Sequence, residues 1–390
     1  MNKLICDIGC LSINHFGEQL CGDHIEIVKN DSTTILVLAD GLGSGVKANI
    51  LSILTAKTLS TMIANNVAIK ECVLSIAQTL PICLERNIAY STFTIIKITD
   101  STFVEIYNYD NPLPFAIVDG RVKNLDYSVS IIDGKRIYHT KYTASKDDLF
   151  VLMSDGVLHA GIGAKLNFGW SIKEIQSFLE SLYRTSYSAK SLSTVLLDHV
   201  NRLYDEQPGD DATCAIIKIK ERNAVNLLIG PASNRDDDEK MLSLFFSKAG
   251  KHIVSGGTTS NVVSRYLKMS LNYALEYSDK TIPPIAHIEG VDLVTEGVVT
   301  INKVLDNARD LLYNNNKAYF YWCYKQDGAS LISKILFEEA TDINFFVGCA
   351  VNPAHQDPSM KVNIAIKLQL IDELSKLLKE MGKNIKVSYF

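Results

Sequence analysis

Asp40-Gly41-Leu42-Gly43-Ser44-Gly45-Val46-Lys47-Ala48-Asn49 follows the apolar run Ile35-Leu36-Val37-Leu38-Ala39 and leads into a segment of helical periodicity. A strand that ends on an acid, turns through three glycines and enters a helix invites a nucleotide reading. The spacing refuses it. Gly-x-x-x-x-Gly-Lys-Ser/Thr is missing, and glycines at 41, 43 and 45 do not make Gly-x-Gly-x-x-Gly. The glycines instead let the backbone fold tightly around whatever Asp40 holds, and they present a helix amino terminus to an anion such as a metal-bound phosphate. Over 46–64, Val46, Ile50, Leu54 and Thr58 recur four apart, with Leu51 and Ile53 widening the stripe, so this stripe is the expected buried face of the helix.

Three other sites share the pairing of an acid with glycine beside a strand: Cys21-Gly22-Asp23, Ser154-Asp155-Gly156 and Gly209-Asp210-Asp211. Ile35–Ala39, Phe150–Met153 and Cys214–Ile219 are apolar enough to be central strands, which places Asp40, Asp155 and Asp210 at the rim of a buried sheet. Carboxylates gathered at one rim repel one another unless a cation neutralises them. Oxygen donors without His or Cys beside them favour Mg²⁺ or Mn²⁺ over zinc.

Around these sites the first half reads as strands interrupted by helices. Residues 25–29 and 33–39 form a hairpin about Asn30-Asp31-Ser32, and a helix over 69–80 is stopped by Pro81. Ser91–Ile98, Phe103–Asn108, Phe115–Val118 and Arg121–Leu125, separated by Asp110-Asn111-Pro112 and Asp119-Gly120, suggest an antiparallel meander. Helices are expected over 171–184 and 189–205. After the polar cluster Lys220-Glu221-Arg222-Asn223 the grammar changes. Strands at Val225–Ile229, His252–Val254, Phe345–Cys349 and Ile385–Tyr389 alternate with helices near 235–249, 259–269 and 364–381, which implies a doubly wound, mostly parallel sheet. The expected domains are 1–220 and 224–390. A length of 390 residues with 47% hydrophobic content also exceeds what one core usually absorbs.

The four acidic sites resemble, in order and spacing over about 15–220, the bacterial branch of the metal-dependent PP2C-type Ser/Thr phosphatases, typified by the stage II sporulation phosphatase. Asp40-Gly41-Leu42-Gly43-Ser44-Gly45 is similar to that branch's Asp-Gly-Met-Gly-x-Gly, Ser154-Asp155-Gly156 to its Ser-Asp-Gly, and Asp210-Asp211-Ala212-Thr213 to its Asp-Asp-Met-Thr, with Ala212 replacing Met; Gly22-Asp23 stands where the early Gly-Asp does. The resemblance implies an α+β fold, a PP2C-like β-sandwich flanked by helices. It also implies two Mn²⁺ or Mg²⁺ ions, one between Asp23, Asp40 and the Gly41 carbonyl and one between Asp40, Asp155 and Asp210, with Asp40 bridging. Asp40 and Asp155 are then the catalytic residues, and water activated between ions ~3.5–4 Å apart attacks the phosphorus of a phosphoserine or phosphothreonine in a protein partner. No His or Cys nucleophile is required; His159, four positions after Asp155, is a candidate proton donor. Residues 4–28 contain no arginine or lysine to hold phosphate, a role that Lys47 could partly take. A catalytically silent pseudophosphatase is the competing reading.

In the second half, Ser255-Gly256-Gly257-Thr258-Thr259-Ser260 opens a helix after a strand, so Gly256, Gly257, Thr258 and Thr259 form a candidate site for a small anionic ligand. Glu289, Asp292 and Glu296 would share one face if 288–297 were helical, whereas the internal glycines equally permit a loop and strand end. The stretch 348–355 reads as a strand end turning into a loop, where doubly wound folds bind ligands. The whole arrangement is similar to phosphatase-like proteins associated with iron-only hydrogenases, which implies a regulatory role in redox or hydrogen metabolism. A net charge of −5 argues against nucleic-acid binding. No apolar run approaches the ~18–20 residues of a membrane helix. Asp7 interrupts any signal-peptide core, and the eight cysteines match no disulfide framework, so a cytoplasmic location is expected.

Overall fold

The computed structural model describes residues 3–30, 32–79, 82–83, 88–89, 91–184, 186–273, 285–313, 322–350 and 361–390. The chain divides into two units, Met1–Glu221 and Arg222–Phe390. In chain order the first contains β1 (Leu4–Ile13), β2 (Asp23–Lys29), β3 (Thr33–Gly41), α1 (Gly45–Ala64), α2 (Ile69–Thr79), β4 (Ile82–Cys83), β5 (Ile88–Ala89), β6 (Ser91–Thr99), β7 (Phe103–Tyr109), β8 (Phe115–Val118), β9 (Arg121–Lys123), β10 (Ser128–Ile132) and β11 (Lys135–Thr143). It continues with β12 (Leu149–Met153), α3 (Asp155–Leu158), α4 (Ile172–Leu182), α5 (Ala189–Leu203) and β13 (Ala212–Glu221).

These strands make two antiparallel sheets, ordered β1-β13-β12-β8-β9 and β10-β11-β7-β6-β3-β2. Side chains alternate between the faces of a strand, and β3 shows why its run is apolar throughout. Leu36 and Leu38 point into the core between the sheets with Ile96, Ile106, Phe150, Leu152 and Ile217. Ile35, Val37 and Ala39 point outward beneath α1 and α2, against Ala56, Leu59 and Val73. The outer face of the other sheet is covered by α4 and α5 through Leu179, Leu192 and Leu196, with Trp170 just ahead of α4. The result is the expected sandwich flanked by helices.

Two expectations are corrected here. The helix over 46–64 forms, but its buried face is Ala48, Ser52, Ala56, Leu59 and Ile63. Val46, Ile50 and Leu54 are 61%, 51% and 50% exposed. The cause is close approach: a Cβ on Gly41 would stand 2.1 Å from the Ala48 carbonyl oxygen, so small residues must face the sheet. Nor are 91–125 one meander. β6 and β7 pair, but the chain then crosses at Asp110–Pro114 to the other sheet, where β8 pairs with β12 and β9, before returning as the β10–β11 hairpin. Leu80 and Pro81, the expected end of α2, lie outside the described residues.

The second unit contains β14 (Ala224–Ile229), α6 (Arg235–Ser247), β15 (Lys251–Ser255), α7 (Gly257–Leu267), β16 (Asn272–Tyr273), β17 (Ala286–His287), β18 (Leu293–Thr295) and α8 (Val298–Tyr313). It ends with α9 (Gly328–Ser333), a π-helical turn Lys334–Glu339, β19 (Asp342–Val347), α10 (Lys361–Glu380) and β20 (Asn384–Tyr389). Its sheet runs β16-β17-β18-β15-β14-β19-β20. The five strands from β18 to β20 are parallel, and the short β16 and β17 form an antiparallel edge. Leu228, Val254, Val294 and Phe346 pack on one face beneath α6 and α7, with Met241, Phe245 and Val263. The helical alternative for 288–297 is overturned: this stretch is a turn followed by β18, and Asp292 accepts the His252 backbone N–H at 2.7 Å. Residues 351–355, at the expected ligand-binding loop after β19, lie outside the described residues.

Candidate metal centre and active site

The acids converge where strand ends of the two sheets meet. Asp23 in β2 stands directly across from Asp40 in β3, and Asp40 is flanked on its other side by Thr92 in β6. In the opposite sheet β12 ends one residue before Ser154, Asp155 begins α3, and Asp210 and Asp211 immediately precede β13. Ser154 ties the two sheets together. Its hydroxyl donates to Asp23 Oδ2 at 2.6 Å and accepts the Thr213 N–H at 2.9 Å. Glycine is needed at two of these turns. Besides Gly41 against Ala48, a Cβ on Gly156 would lie 2.1 Å from the Asp211 carbonyl oxygen, so any side chain there would push α3 away from β13.

The electrostatics follow from this crowding. Burial, then the charges of Asp23, Asp155 and Asp210, push the Asp40 carboxyl up from an ordinary 3.8 to about 9. Burial raises Asp23 to about 7 against the opposing hydrogen bonds from Ser154 and Thr213, with Asp211 and Asp155 adding to the rise. Asp210 is also raised, by burial and by Asp155, with His159 pulling the other way. Asp23 Oδ1 and Asp211 Oδ2 are buried without a hydrogen-bond partner. Among the described residues no lysine or arginine pairs with any of the five acids. Clustered carboxylates with orphaned oxygens and no internal counter-cation fit a hard divalent ion.

Each residue expected from the sequence can now be placed. Asp23, Asp40, Asp155 and Asp210 are brought within electrostatic reach of one another. Gly41 joins them at the end of β3, where its N–H donates to the Gly22 carbonyl at 3.1 Å. Asp211 accepts the His15 backbone N–H through Oδ1 at 3.0 Å, while its charge still reaches Asp23. His159 approaches Asp210, with Nδ1 3.4 Å from Oδ2. Lys47 is exposed. The amino terminus of α1 is faced by the chain's own Glu18: the Ser44 hydroxyl donates to its carboxylate at 3.4 Å, and a Cβ on Gly45 would sit 2.7 Å from its Oε2.

Sequence reading assigned no role to the polar groups behind the acids. Ser154 and Thr213 lie inside the quoted motifs, so their signal was adjacency to Asp155 and Asp210. Thr92, Thr94, Asn108 and Asn111 form a second, buried network beside Asp40. Thr92 donates to Asn111 Oδ1, Asn108 Nδ2 donates to the Asn111 carbonyl at 2.8 Å, and Asn111 Nδ2 donates to Thr94 Oγ1 at 3.1 Å. Their signal was polar residues on inward positions of apolar strands.

In the second unit, Gly256 (φ 123°) caps α7 and donates its N–H to the Thr295 carbonyl at 2.8 Å. Thr259 faces inward, its hydroxyl accepting the Gly230 N–H at 2.9 Å. Thr258 lines a cavity of about 530 Å³ with Pro231, Arg235, Arg265 and Tyr266. A Cβ on Gly257 would be 3.4 Å from Glu296 Oε1, so this helix start too is faced by an internal carboxylate.

Residues 30–220 match the family model for stage II sporulation protein E (SpoIIE). They form a SpoIIE-family domain. The first unit is therefore a metal-dependent Ser/Thr phosphatase domain of the PP2C type. The SpoIIE domain has counterparts among solved structures. The phosphatase domain of SpoIIE from Bacillus subtilis is 17% identical over 57% of this chain and 95% of that chain, with a TM-score of 0.44. A longer piece of the same protein, with a fragment of its regulatory domain, is 18% identical over 56% of this chain and 64% of that one, at a TM-score of 0.49. The SiaA-PP2C domain of Pseudomonas aeruginosa is 15% identical over 54% of this chain and 85% of that one, at 0.44. No curated protein matches the chain. None of the described helices is long and apolar enough to cross a membrane.

Proposed function

We propose that this chain hydrolyses phosphoserine or phosphothreonine on a regulatory protein partner in the cytoplasm, using two divalent ions, Mn²⁺ or Mg²⁺. The observation that carries this reading is the meeting of Asp23, Asp40, Asp155 and Asp210 at the strand ends of the two sheets, with no lysine or arginine paired to them among the described residues. Asp23, Asp40 and the Gly41 carbonyl would hold one ion, and Asp40, Asp155 and Asp210 the other. When bound, such ions lower the pKa of water and neutralise charge on the phosphoryl oxygens. The chain's own residues position this chemistry. Ser154 and Thr213 fix the Asp23 carboxylate, the Thr92–Asn111 network backs the strand carrying Asp40, and glycines 41 and 156 allow the elements to approach closely enough. No side chain needs to act as nucleophile. Burial and the neighbouring Asp23 and Asp211 push the Cys21 thiol far above its ordinary range, so it is not a competing thiolate.

The second unit is the regulatory element of this reading. Its parallel strands follow the order β18-β15-β14-β19-β20, so the order in which the chain adds strands reverses between β14 and β19, where such folds take ligands. A small anionic ligand at residues 256–259, or a docked partner, is the input we assign to it. The likeness of the whole motif arrangement to phosphatase-like proteins associated with iron-only hydrogenases supports a role in redox or hydrogen metabolism. The test is hydrolysis of an aryl phosphate and a phosphothreonine peptide with and without Mn²⁺, comparing wild type with Asp40→Asn and Asp155→Asn. Metal-dependent turnover lost in both variants is expected. No turnover by wild type, together with no Mn²⁺ binding, would assign a catalytically silent regulatory module instead.

A further inference from the structure

The side chain that the acidic reading leaves unused is His159. Asp155 opens α3 and His159 ends it, with the His159 N–H donating to the Asp155 carbonyl at 2.9 Å, so the two side chains lie one helical turn apart on the same face. Asp210 arrives from the loop before β13. One ligand atom from each of Asp155, His159 and Asp210 lies within 4.8 Å of the other two, and among the described residues no other group of three His, Cys, Asp or Glu side chains does this.

The distances suit an ion better than they suit the contact itself. His159 Nδ1 is 3.4 Å from Asp210 Oδ2, whereas a charge-assisted N–H···O bond closes to about 2.7–2.9 Å. Donors around one octahedral ion with bonds of about 2.0–2.1 Å stand roughly 2.9 Å apart when adjacent and about 4.2 Å apart when opposite. The 3.4 Å between His159 Nδ1 and Asp210 Oδ2 falls inside that interval, and all three donors lie within 4.8 Å of one another. Both partners are also accessible, the side chains of His159 and Asp210 being 48% and 38% exposed, so an ion can enter without opening the core.

We propose that His159 is a nitrogen ligand to the ion held by Asp155 and Asp210, and that it makes this centre prefer Mn²⁺, or a similar transition ion, to Mg²⁺. This rests on the metal-dependent reading above and adds a residue and a selectivity to it. Imidazole binds first-row transition ions well, while Mg²⁺ takes oxygen donors almost exclusively. One nitrogen among carboxylates therefore tilts the choice of metal without abolishing either. A nitrogen that holds an ion cannot also carry a proton, so His159 does not serve as proton donor through Nδ1.

The experiment is pulsed electron paramagnetic resonance of the full chain loaded with Mn²⁺, reading ¹⁴N coupling to the bound ion, with titration calorimetry of Mn²⁺ and Mg²⁺ on wild type and His159→Gln. Wild type is expected to show imidazole ¹⁴N coupling that His159→Gln loses. The variant should bind Mn²⁺ about 10-fold more weakly with Mg²⁺ affinity nearly unchanged. The side chain is half exposed, so the variant should fold, and its unchanged circular dichroism is the control. Mn²⁺ bound without ¹⁴N coupling, or coupling that persists in His159→Gln, would overturn this inference and leave the phosphatase reading intact. Failure of wild type to bind Mn²⁺ at all would overturn both.

Discussion

Replacing Asp40 with Asn should stabilise the metal-free protein and remove its response to metal. In the metal-free fold the Asp40 carboxyl is raised from 3.8 to about 9. Between those values the folded state binds a proton that the unfolded state has released. The stability this contributes is complete below the unfolded value, falls as pH rises through the window and is gone above about 9. A full proton difference would cost ~1.4 kcal/mol per pH unit. Asp40 stands at a solvent-reached rim and shares its proton with Asp23, so ~2 kcal/mol between pH 6 and 9 is the expected order. For a domain of this size that corresponds to a fall of ~4–8 °C in Tm. Asn removes the charge, and its Tm should change by less than half as much over the same range. Adding Mn²⁺ at ~100 times its Kd should raise the wild-type transition by the equivalent of ~2.7 kcal/mol and leave Asp40→Asn nearly unmoved. Thermal unfolding of both proteins in EDTA and in Mn²⁺ at pH 6, 7, 8 and 9 reads these effects. An Asn variant less stable than wild type in EDTA at pH 9, or equally stabilised by Mn²⁺, refutes the electrostatic account of the site.

Ser154→Ala should destabilise the first unit by ~1–3 kcal/mol in urea unfolding and weaken Mn²⁺ binding ~10-fold by calorimetry, because it removes the donor to Asp23 and the acceptor of the Thr213 N–H. On α1, Leu54→Gln should change stability by no more than ~0.5 kcal/mol, since that side chain is half exposed. Ala56→Leu, by contrast, should cost ~1–3 kcal/mol by overpacking the helix against β3; equal effects of the two substitutions in a urea titration would reverse the assigned face. In the second unit, Glu296→Gln should strengthen binding of inorganic phosphate severalfold by removing the carboxylate that faces Gly257 at the start of α7. Phosphate titration followed by nuclear magnetic resonance of the Gly256 and Gly257 amides checks this.

The acidic sites were legible because each is a local event: an acid and a glycine where an apolar run stops. Ser154 and Thr213 could have been read from the same motifs, since a buried carboxylate requires donors and the nearest hydroxyls are one and two residues from the acids. The network of Thr92, Thr94, Asn108 and Asn111 was harder to see, because polar residues on a strand look like a solvent face until the partner sheet is known. The jump of β8 into the other sheet was invisible for a related reason. Turn residues such as Asp110-Asn111-Pro112 announce that a strand ends, but not which strand the next one will pair with.

The misread face of α1 carries the more general lesson. Periodicity places large apolar residues inward when side chains set the distance between layers. Here the backbone sets it: Gly41 meets the Ala48 carbonyl with no room for a Cβ, so Ala48, Ser52 and Ala56 face β3 while Val46, Ile50 and Leu54 remain outside. The sequence by itself determined the kinds of element, their order along the chain and the acids at strand ends, because those depend on local backbone preference and on the spacing of polar and apolar residues. Only the tertiary structure decided which sheet each strand joined, which side of α1 was buried, and that Asp210 would stand beside Asp155 and His159, because these depend on distances between segments far apart in the chain.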